Sequence, residues 1–349
     1  MCPGGRRGLA TRVGINGFGR IGRNVFRAAR ENSSIEIVAA NDIGSPEMLA
    51  HLLRYDSILG RYPGEVVATD QSLLVDGREL KIFSAAAPGD VDWAGLGVEV
   101  VIEASGLFTL AEQARSHIDR GGAKKVIITA PAKGEDITIC MGVNDSAYQP
   151  SRHHVISNAS CTTNCLAPVA KVIHDRFGIE SGLMSTVHAY TGDQRLLDAP
   201  HPDPRRARAA ALSLIPTSSG AAEAVAKVLP DLLGRFAGFA LRVPVPNVSI
   251  VDFTVLTSKP TTADAINAAL RTAAQTELKG ILRVEEEALV SIDFRGDPHS
   301  SIVDSQLTVM AGPRHAKVLA WYDNEWGYSC RVVDLTQLVA TTLPPAASS

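Results

Sequence analysis

The chain has 349 residues, of which 45% are hydrophobic and 20% are charged, and its formal net charge at pH 7 is −3. This length and composition predict a globular protein of two domains, and the small net charge offers no global field for binding nucleic acid or an anionic membrane. No apolar run reaches the roughly 18 residues of a membrane span. The five cysteines are scattered along the chain, and this odd number favours a reducing compartment, so a cytoplasmic protein is expected.

The N-terminal half shows an alternation of strand-like and helical segments. Residues 1–10 contain two arginines without a following apolar segment, which predicts a loose tail rather than a secretory signal. Beyond this tail, Asp76-Gly77 between two apolar runs predicts a hairpin. Strands are expected at Val13–Ile15, Ile35–Ala40, Val98–Ile102 and Val126–Ile128, and helices around Val25–Arg30 and Ala111–Ile118. This order predicts an α/β domain with a mainly parallel sheet and helices on both faces.

The pattern changes after about residue 160, where strands follow one another with few intervening helices. Strands are expected at Leu183–His188, Phe239–Val243, Val248–Leu256, Ser301–Val309 and Val318–Trp321, and helices at Thr163–Phe177, Ala221–Leu229 and Thr262–Leu278. This order predicts an α+β domain with an antiparallel sheet and helices packed on one face. Between Thr191 and Leu214 lies a long loop rich in proline and arginine, and a loop of that length is usually functional or contacts a partner.

A glycine pattern, G-x-G-x-x-G, follows the first strand at Gly17, Gly19 and Gly22. Such glycines allow a tight turn and bring backbone N–H groups at a helix N-terminus close to a pyrophosphate. Asp42 ends the next strand, where its carboxylate is expected to accept hydrogen bonds from the adenosine ribose and to repel a 2′-phosphate. This pattern favours NAD over NADP, and the alternative is a glycine-rich turn without a ligand.

Cys161 lies at the predicted start of a helix, with Ser160 as its N-cap and Gly178 at its C-terminal end. The N–H groups and the dipole of the helix start favour a thiolate there, which predicts a nucleophile; the alternative is an inert thiol. Cys165 falls on the apolar stripe and is expected in the core. No second pair of Cys or His at metal-site spacing accompanies these cysteines, so no metal is expected.

A cysteine nucleophile that adds to a carbonyl needs a proton acceptor, and His188 at the end of a strand is the candidate base. Arg242 lies on an apolar strand, where an unpaired guanidinium is costly, and therefore indicates an anionic ligand or an acidic partner. Arg206 in the long loop, Thr191 and the Ser219-Gly220 turn are further candidates for binding phosphate. A packed or surface histidine and solvated loop arginines are the alternatives.

Together these residues closely resemble the phosphorylating glyceraldehyde-3-phosphate dehydrogenase family. The resemblance runs from about residue 11 to residue 340, in the stretches NGFGRIGRNVFRAA, ASCTTNCLAPVAKV, TVHAYTGDQRLLDA, RRARAAA, LRVPVPNVS and WYDNEWGYS. It implies a homotetramer in which the long loop reaches the neighbouring cofactor site. It also implies that a C-terminal helix completes the Rossmann domain, with a dinucleotide-binding domain of residues 1–160 and 324–349 and a catalytic domain of residues 161–323.

The resemblance also implies the reaction and the residue roles. Cys161 forms a thiohemiacetal with the aldehyde, His188 is the base, and inorganic phosphate attacks the resulting thioester to release 1,3-bisphosphoglycerate. Thr191 and Arg242 match the residues that hold the substrate phosphate. The inorganic-phosphate site matches Ser160, Thr162, Arg206, Ser219 and Gly220. The expected cofactor residues are Asn16, Gly17, Gly19, Arg20, Ile21, Gly22, Asp42, Thr129 and, for the nicotinamide carboxamide, Asn324.

The loop departs from the family pattern at Ala199-Pro200, where NAD-specific members usually have Leu-Pro and photosynthetic NADP-using members Ala-Ser. NAD is therefore expected as the cofactor, with NADP as a secondary one. Two other functions stay open at this point. One is an erythrose-4-phosphate dehydrogenase, which shares the Cys/His chemistry, and the other is a catalytically idle binding protein on the same fold.

Overall fold

The computed structural model describes residues 10–343, so that nearly all of the predicted N-terminal tail lies outside the described residues. The strands are β1 (Thr11–Asn16), β2 (Ile35–Asn41), β3 (Tyr55–Asp56), β4 (Gly60–Arg61), β5 (Val66–Ala68), β6 (Ser72–Val75), β7 (Arg78–Phe83), β8 (Val100–Glu103), β9 (Lys125–Ile128), β10 (Ile137–Thr138), β11 (Val155–Ser157), β12 (Ile179–Ala189), β13 (Ile215–Ser218), β14 (Phe236–Val243), β15 (Ser249–Thr257), β16 (Leu282–Glu285), β17 (Ser301–Asp304), β18 (Val309–Met310) and β19 (His315–Tyr322). The helices are α1 (Arg20–Ala28), α2 (Pro46–Arg54), α3 (Ala111–Ala114), α4 (Ser116–Asp119), α5 (Cys161–Phe177), α6 (Ala221–Val228), α7 (Ala263–Gln275) and α8 (Trp326–Thr341).

These elements form two compact units. Within the described residues, the first comprises the segment from residue 10 to Ile139, Ser146–Ala159 and residues 329–343, and the second comprises Cys140–Asp145 and Ser160–Tyr328. The sequence-based domain limits differ from these units because residues 140–145, Ser160 and residues 324–328 belong to the second unit. Those limits stay a prediction.

The first unit is built on a nine-stranded sheet in the order β10-β11-β9-β8-β1-β2-β7-β6-β5. All neighbours from β10 to β7 are parallel, and only β7-β6-β5 run antiparallel. The predicted α/β domain of the Rossmann type is therefore confirmed. The predicted hairpin is also confirmed, since Asp76 (φ +52°) and Gly77 (φ +77°) join β6 to β7, as a two-residue hairpin turn requires.

The carboxyl ends of three central strands meet at one edge of this sheet. Asn16 at the end of β1 is in register with Asn41 of β2 on one side and with Glu103 of β8 on the other. All three side chains are buried. In open α/β sheets, ligands bind outside the carboxyl ends of the strands, so this edge is where a dinucleotide site is expected.

The sheet of the second unit follows the order β13-β14-β12-β15-β19-β17-β16, with β18 paired to β19. The predicted antiparallel arrangement is confirmed for β12, β15, β19 and β17. The pairs β12-β14 and β16-β17 are parallel instead, because the long connections between these strands allow the chain to return in the same direction. The prediction of one continuous strand at Ser301–Val309 is wrong, because a 3₁₀ turn at Ser305–Leu307 separates β17 from β18.

Helix α5 carries Cys161 at its first position and packs against α6, α7 and the sheet of the second unit. Ser160 is its N-cap, with the side-chain oxygen accepting a hydrogen bond from the Thr163 N–H at 3.0 Å. Gly178 ends the helix with φ at +68°, in the left-handed region that glycine enters without strain. The buried residues of α5 include Cys165, as its place on the apolar stripe predicted.

Candidate active site

The thiol and the imidazole predicted for catalysis lie side by side in the second unit. Cys161 Sγ is 3.5 Å from His188 Nε2, a distance at which a thiol and an imidazole nitrogen form a hydrogen bond. Cys161 begins α5, and His188 is the penultimate residue of β12. The residue two before the cysteine, Ala159, has φ at +56°. Left-handed backbone at a non-glycine residue costs free energy and is common at functional sites.

Arg242 contacts the other nitrogen of the His188 ring. Its Nη1 lies 2.6 Å from His188 Nδ1 and 3.0 Å from the carbonyl oxygen of Ala189. That carbonyl oxygen is also 2.6 Å from Nδ1. A guanidinium only donates and a carbonyl only accepts, so the two groups favour opposite tautomers of His188. Register explains the contact, because His188 and Arg242 are directly paired on the parallel strands β12 and β14.

Burial and Arg242 dominate the electrostatics of the pair. Burial, and secondly the positive charge of Arg242, lower the pKa of His188 and so favour the neutral ring. Burial raises the pKa of Cys161, whereas Arg242 and hydrogen bonds at the helix start act in the opposite direction. The thiolate-favouring effect expected from the helix position is thus present, but burial opposes it.

Among the buried donor atoms without a hydrogen-bond partner in residues 10–343, two belong to arginines predicted at this site. These atoms are Nε of Arg206 and Nε of Arg242. The side-chain nitrogen of Gln194 is also buried without a hydrogen-bond partner. Burial and then the charge of Arg242 lower the pKa of Arg206, which indicates that the two guanidinium groups affect each other. Unsatisfied buried donors are costly, and an anion would satisfy them.

Asp193 supplies the negative charge that Arg206 meets in the structure. Its carboxylate accepts hydrogen bonds from the Arg206 guanidinium and from the Thr191 hydroxyl. Thr191 and Arg206, which the sequence assigned to two phosphate sites, are therefore linked through one aspartate that the sequence analysis did not single out.

The remaining residues expected at the phosphate sites are placed as follows. The Thr162 hydroxyl is 2.8 Å from Tyr322 Oη, and hydrogen bonds from Thr162 act on the Cys161 thiol. Ser219 lies before α6, and its hydroxyl accepts from the Ala221 N–H at 3.3 Å. Gly220 is the N-cap of α6.

Tyr322 is a residue of this site that sequence reasoning missed. Its hydroxyl lies 2.8 Å from both Thr162 Oγ1 and Thr186 Oγ1, and its ring meets the His188 ring edge-on with centroids 6.0 Å apart. Ser249 was missed as well. It accepts from the Ala189 N–H at 3.0 Å and donates to Asn324 Oδ1 at 2.8 Å, and so fixes the side chain of Asn324.

The glycine loop of the first unit has the geometry of a phosphate cradle. Gly17 has φ at +92°, and a Cβ there would lie 2.5 Å from the Ser105 backbone. A Cβ at Gly22 would collide with the Gly17 carbonyl oxygen, whereas one at Gly19 would meet nothing within 4 Å. Gly17 and Gly22 are therefore required by the fold, and the open space at Gly19 leaves room for a ligand against the backbone.

Around this loop, most of the expected cofactor side chains already have protein partners. Asp42 accepts from the Phe18 N–H at 2.8 Å and from the Gly44 N–H at 2.9 Å. The Arg20 side chain pairs with Asp56 at 3.2 Å. What Arg20 and Ile21 offer a ligand is therefore their backbone N–H groups in the first turn of α1. The N–H and hydroxyl of Thr129 both donate to the Glu103 carbonyl oxygen, at 3.0 and 3.1 Å.

Two exposed apolar side chains at the carboxyl edge of the sheet were also missed. Ile43, which follows Asp42, is 86% exposed, and Leu107, which follows β8, is 75% exposed. Large apolar side chains with this exposure beside a phosphate cradle suit a flat apolar ligand group. Hydrophobic residues after a strand end were the signal that could have identified them.

A Rossmann-type unit with a phosphate cradle, joined in one chain to a Cys–His pair beside two arginines, defines a dinucleotide-dependent oxidoreductase with a cysteine nucleophile. Comparison with known protein families specifies it further. Residues 11–111 match the NAD binding domain of glyceraldehyde 3-phosphate dehydrogenase, and residues 160–324 match the C-terminal domain of the same enzyme. The chain belongs to the glyceraldehyde 3-phosphate dehydrogenase family, and it is an NAD-dependent oxidoreductase.

Full-length relatives agree with this assignment. A glyceraldehyde-3-phosphate dehydrogenase 2 of Streptomyces arenae is 57% identical over 336 residues, which cover 96% of this chain and 100% of the relative. The glyceraldehyde-3-phosphate dehydrogenase of Geobacillus stearothermophilus is 56% identical over 333 residues, covering 95% and 99%. A glyceraldehyde-3-phosphate dehydrogenase 1 of Bacillus subtilis is 54% identical over 332 residues, which cover 95% of this chain and 99% of the relative.

Among residues 10–343, none of the helices has the length and apolar character that a membrane span requires.

Proposed function

We propose that the protein oxidises D-glyceraldehyde 3-phosphate with NAD and inorganic phosphate and releases 1,3-bisphosphoglycerate, which makes it a phosphorylating aldehyde dehydrogenase of the EC 1.2.1 type. The observation that carries the proposal is the 3.5 Å contact of Cys161 Sγ with His188 Nε2, beside an arginine whose Nε lacks a partner. A thiol, a base and a guanidinium with an unpaired N–H are groups that suit a phosphorylated aldehyde.

The reaction begins with Cys161. Its sulfur adds to the aldehyde carbon, and the thiol proton passes by way of His188 to the carbonyl oxygen, which becomes the hydroxyl of a thiohemiacetal. His188 Nε2 then takes the proton of that hydroxyl, and the hydride leaves the same carbon for the acceptor that bound NAD would supply, which produces a thioester. Inorganic phosphate then attacks the thioester carbon, the carbon–sulfur bond breaks, and Cys161 leaves as a thiolate while the acyl phosphate is released.

An anion at Arg242 would favour the base form of His188. Proton abstraction by Nε2 requires that the ring proton sits on Nδ1, where it can donate to the Ala189 carbonyl oxygen at 2.6 Å. In the structure the Arg242 guanidinium competes for the same nitrogen. A substrate phosphate that draws the guanidinium toward itself relieves this competition. We assign Arg242 and Thr191 to the substrate phosphate, and Ser160, Thr162, Arg206, Ser219 and Gly220 to inorganic phosphate.

The carboxyl edge of the first sheet is proposed to hold NAD, which supplies the hydride acceptor. Backbone N–H groups at Gly19, Arg20 and Ile21 bind the pyrophosphate, and Asp42 binds the adenosine ribose. Ile43 and Leu107 offer apolar surface to the adenine ring. Asn324, whose amide is oriented by Ser249, is proposed to orient the nicotinamide carboxamide.

An assay of the purified protein tests the proposal. With glyceraldehyde 3-phosphate, phosphate and NAD we expect reduction of the cofactor, and without phosphate we expect turnover to stop at the thioester. Faster turnover on erythrose 4-phosphate would overturn the triose assignment in favour of the tetrose enzyme. If no NAD is reduced with either aldehyde, the protein is a binding protein on this fold and the catalytic proposal is wrong.

Replacement of Asp42 tests the cofactor assignment. In Asp42→Ala the repulsion of a 2′-phosphate is lost, so we expect the ratio of kcat/KM with NADP to that with NAD to rise about five- to tenfold, corresponding to roughly 1 kcal/mol for a charge pair near the surface. Asp42→Asn keeps an acceptor for the Phe18 N–H and separates the charge effect from a loss of loop structure. Glu36→Ala, an exposed position on the same strand, is the control, and an unchanged ratio in both Asp42 variants contradicts the assignment.

We further propose a cytoplasmic homotetramer. The 191–214 loop exposes large apolar side chains that a second copy of the chain would cover. They are Leu196, Leu197, Leu212 and Leu214. Exposed apolar patches of this kind mark interfaces in soluble proteins, which supports a role of the loop in assembly.

A further inference from the structure

Glu103 ends β8 in the middle of the Rossmann sheet, with a side chain that is only 1% exposed. Its Oε2 accepts from Asn16 Nδ2 at 2.6 Å and lies 2.9 Å from His117 Nε2. Its Oε1 accepts from the N–H and the hydroxyl of Ser105, at 2.9 and 2.5 Å. The carboxylate therefore meets four donors, which is as many as its two oxygens can accept in ordinary geometry.

The tautomer of His117 follows from its second neighbour. The Trp93 indole N–H lies 3.0 Å from His117 Nδ1, and an indole nitrogen only donates. Nδ1 therefore carries the lone pair, and the ring proton sits on Nε2, where it points at Glu103. His117 and Trp93 are both fully buried, so this arrangement is shielded from solvent.

The same glutamate touches residues that line the proposed cofactor edge. Asn16 precedes Gly17 and accepts from Asn41 Nδ2 at 2.7 Å. Ser105 supplies the backbone against which Gly17 is packed. The Glu103 main-chain carbonyl accepts both hydrogen bonds of Thr129. One buried residue thus connects three strand ends with the glycine loop.

A stable core alone does not require this arrangement. A buried carboxylate is costly to desolvate, and a packed apolar side chain at the same place is often as stable or more stable. Three of the four hydrogen bonds to this carboxylate come instead from Asn16 and Ser105 at the ligand-binding edge, and they hold that edge in one geometry, as preorganised sites require.

We propose that Glu103, oriented by His117, is a positioning residue for NAD: its carboxylate holds Asn16 and Ser105 so that the glycine loop is preformed for the dinucleotide. The inference rests on NAD binding at this edge of the sheet. It adds Glu103 and its supporting His117 to the residues on which NAD binding depends, although neither side chain itself contacts the cofactor.

Glu103→Gln tests the inference, because an amide nitrogen must then face at least one of the four donors. Calorimetric titration of the NAD-depleted full chain with NAD is expected to show a Kd raised about tenfold or more, with KM for NAD raised more than kcat is lowered. The matched control is Glu99→Gln, which removes the charge of a carboxylate paired with Lys124 at 2.7 Å and is expected to bind NAD like the wild type. The rate of Cys161 alkylation by iodoacetamide in the NAD-free protein should stay unchanged, since it reports on the second unit.

The outcomes separate the inference from the proposed function. If the wild type does not bind NAD, the proposed function fails. If the wild type binds NAD and Glu103→Gln has the same Kd, only the inference is overturned. Should Glu103→Gln not fold, Ser105→Ala decides, because it removes one of the four donors and should raise the Kd for NAD severalfold. An unchanged Kd in Ser105→Ala then overturns the inference.

Discussion

Cys161→Ser is expected to lower turnover by on the order of 10⁴-fold or more, while NAD binding stays intact. A serine hydroxyl is a far weaker acid than a thiol, and neither the helix start nor Arg242 can generate an alkoxide at neutral pH. A thioester also cannot form without sulfur. Steady-state assay of NADH formation measures the loss of turnover, and calorimetric titration with NAD measures the cofactor affinity.

Cys165→Ser is the matched control on the same helix. Its sulfur lies 3.7 Å from Ser301 Oγ and 3.6 Å from the Ala320 carbonyl oxygen, so a serine hydroxyl has partners there. This variant should keep most of its turnover. A Cys161→Ser protein that retains more than a small fraction of wild-type activity would refute the assignment of the nucleophile.

His188→Asn is expected to reduce kcat by about 10²- to 10⁴-fold, the usual effect of removing a positioned base. Asparagine can still accept or donate a hydrogen bond near Ala189, but it cannot take the proton of the thiohemiacetal hydroxyl. The loss should appear in kcat more than in KM for the aldehyde. A primary isotope effect with 1-deuterated substrate should rise, because hydride departure then becomes rate-limiting.

The exposed histidine of β19 is the control for this variant. His315→Asn changes the same residue type on the same sheet, and it should leave both kinetic constants unchanged. An equal loss in the two variants would show that the effect comes from general destabilisation of the sheet and not from removal of the base.

Arg242 gives the clearest example of a site residue whose sequence signal was correct but incomplete. An arginine within an apolar strand indicated an anion, yet nothing in the local sequence placed it 2.6 Å from His188 Nδ1. That contact arises because β12 and β14, which are far apart in the chain, pair in parallel and in register. The tautomer competition at His188 is a consequence of this pairing alone.

Tyr322, Ser249 and Glu103 carried no such signal. Each of them acts through a neighbour that is distant in sequence: Tyr322 through Thr162, Ser249 through Asn324, and Glu103 through Asn16. Periodicity and spacing report on neighbours within one helix or strand. They contain no information about which strand ends meet at one edge of a sheet.

The sequence by itself determined the features that depend on local conformation. They include the hairpin at Asp76-Gly77, the cap of α5 at Ser160, the left-handed end at Gly178 and the glycine turn before α1, since each follows from the backbone preference or hydrogen-bonding capacity of one or two residues. The tertiary structure alone decided the parallel pairs of the second sheet, the Arg242–His188 contact and the buried Glu103 network. These depend on long-range strand pairing, in which burial of apolar strands selects the neighbour and polar groups at the strand ends must then find partners across the sheet.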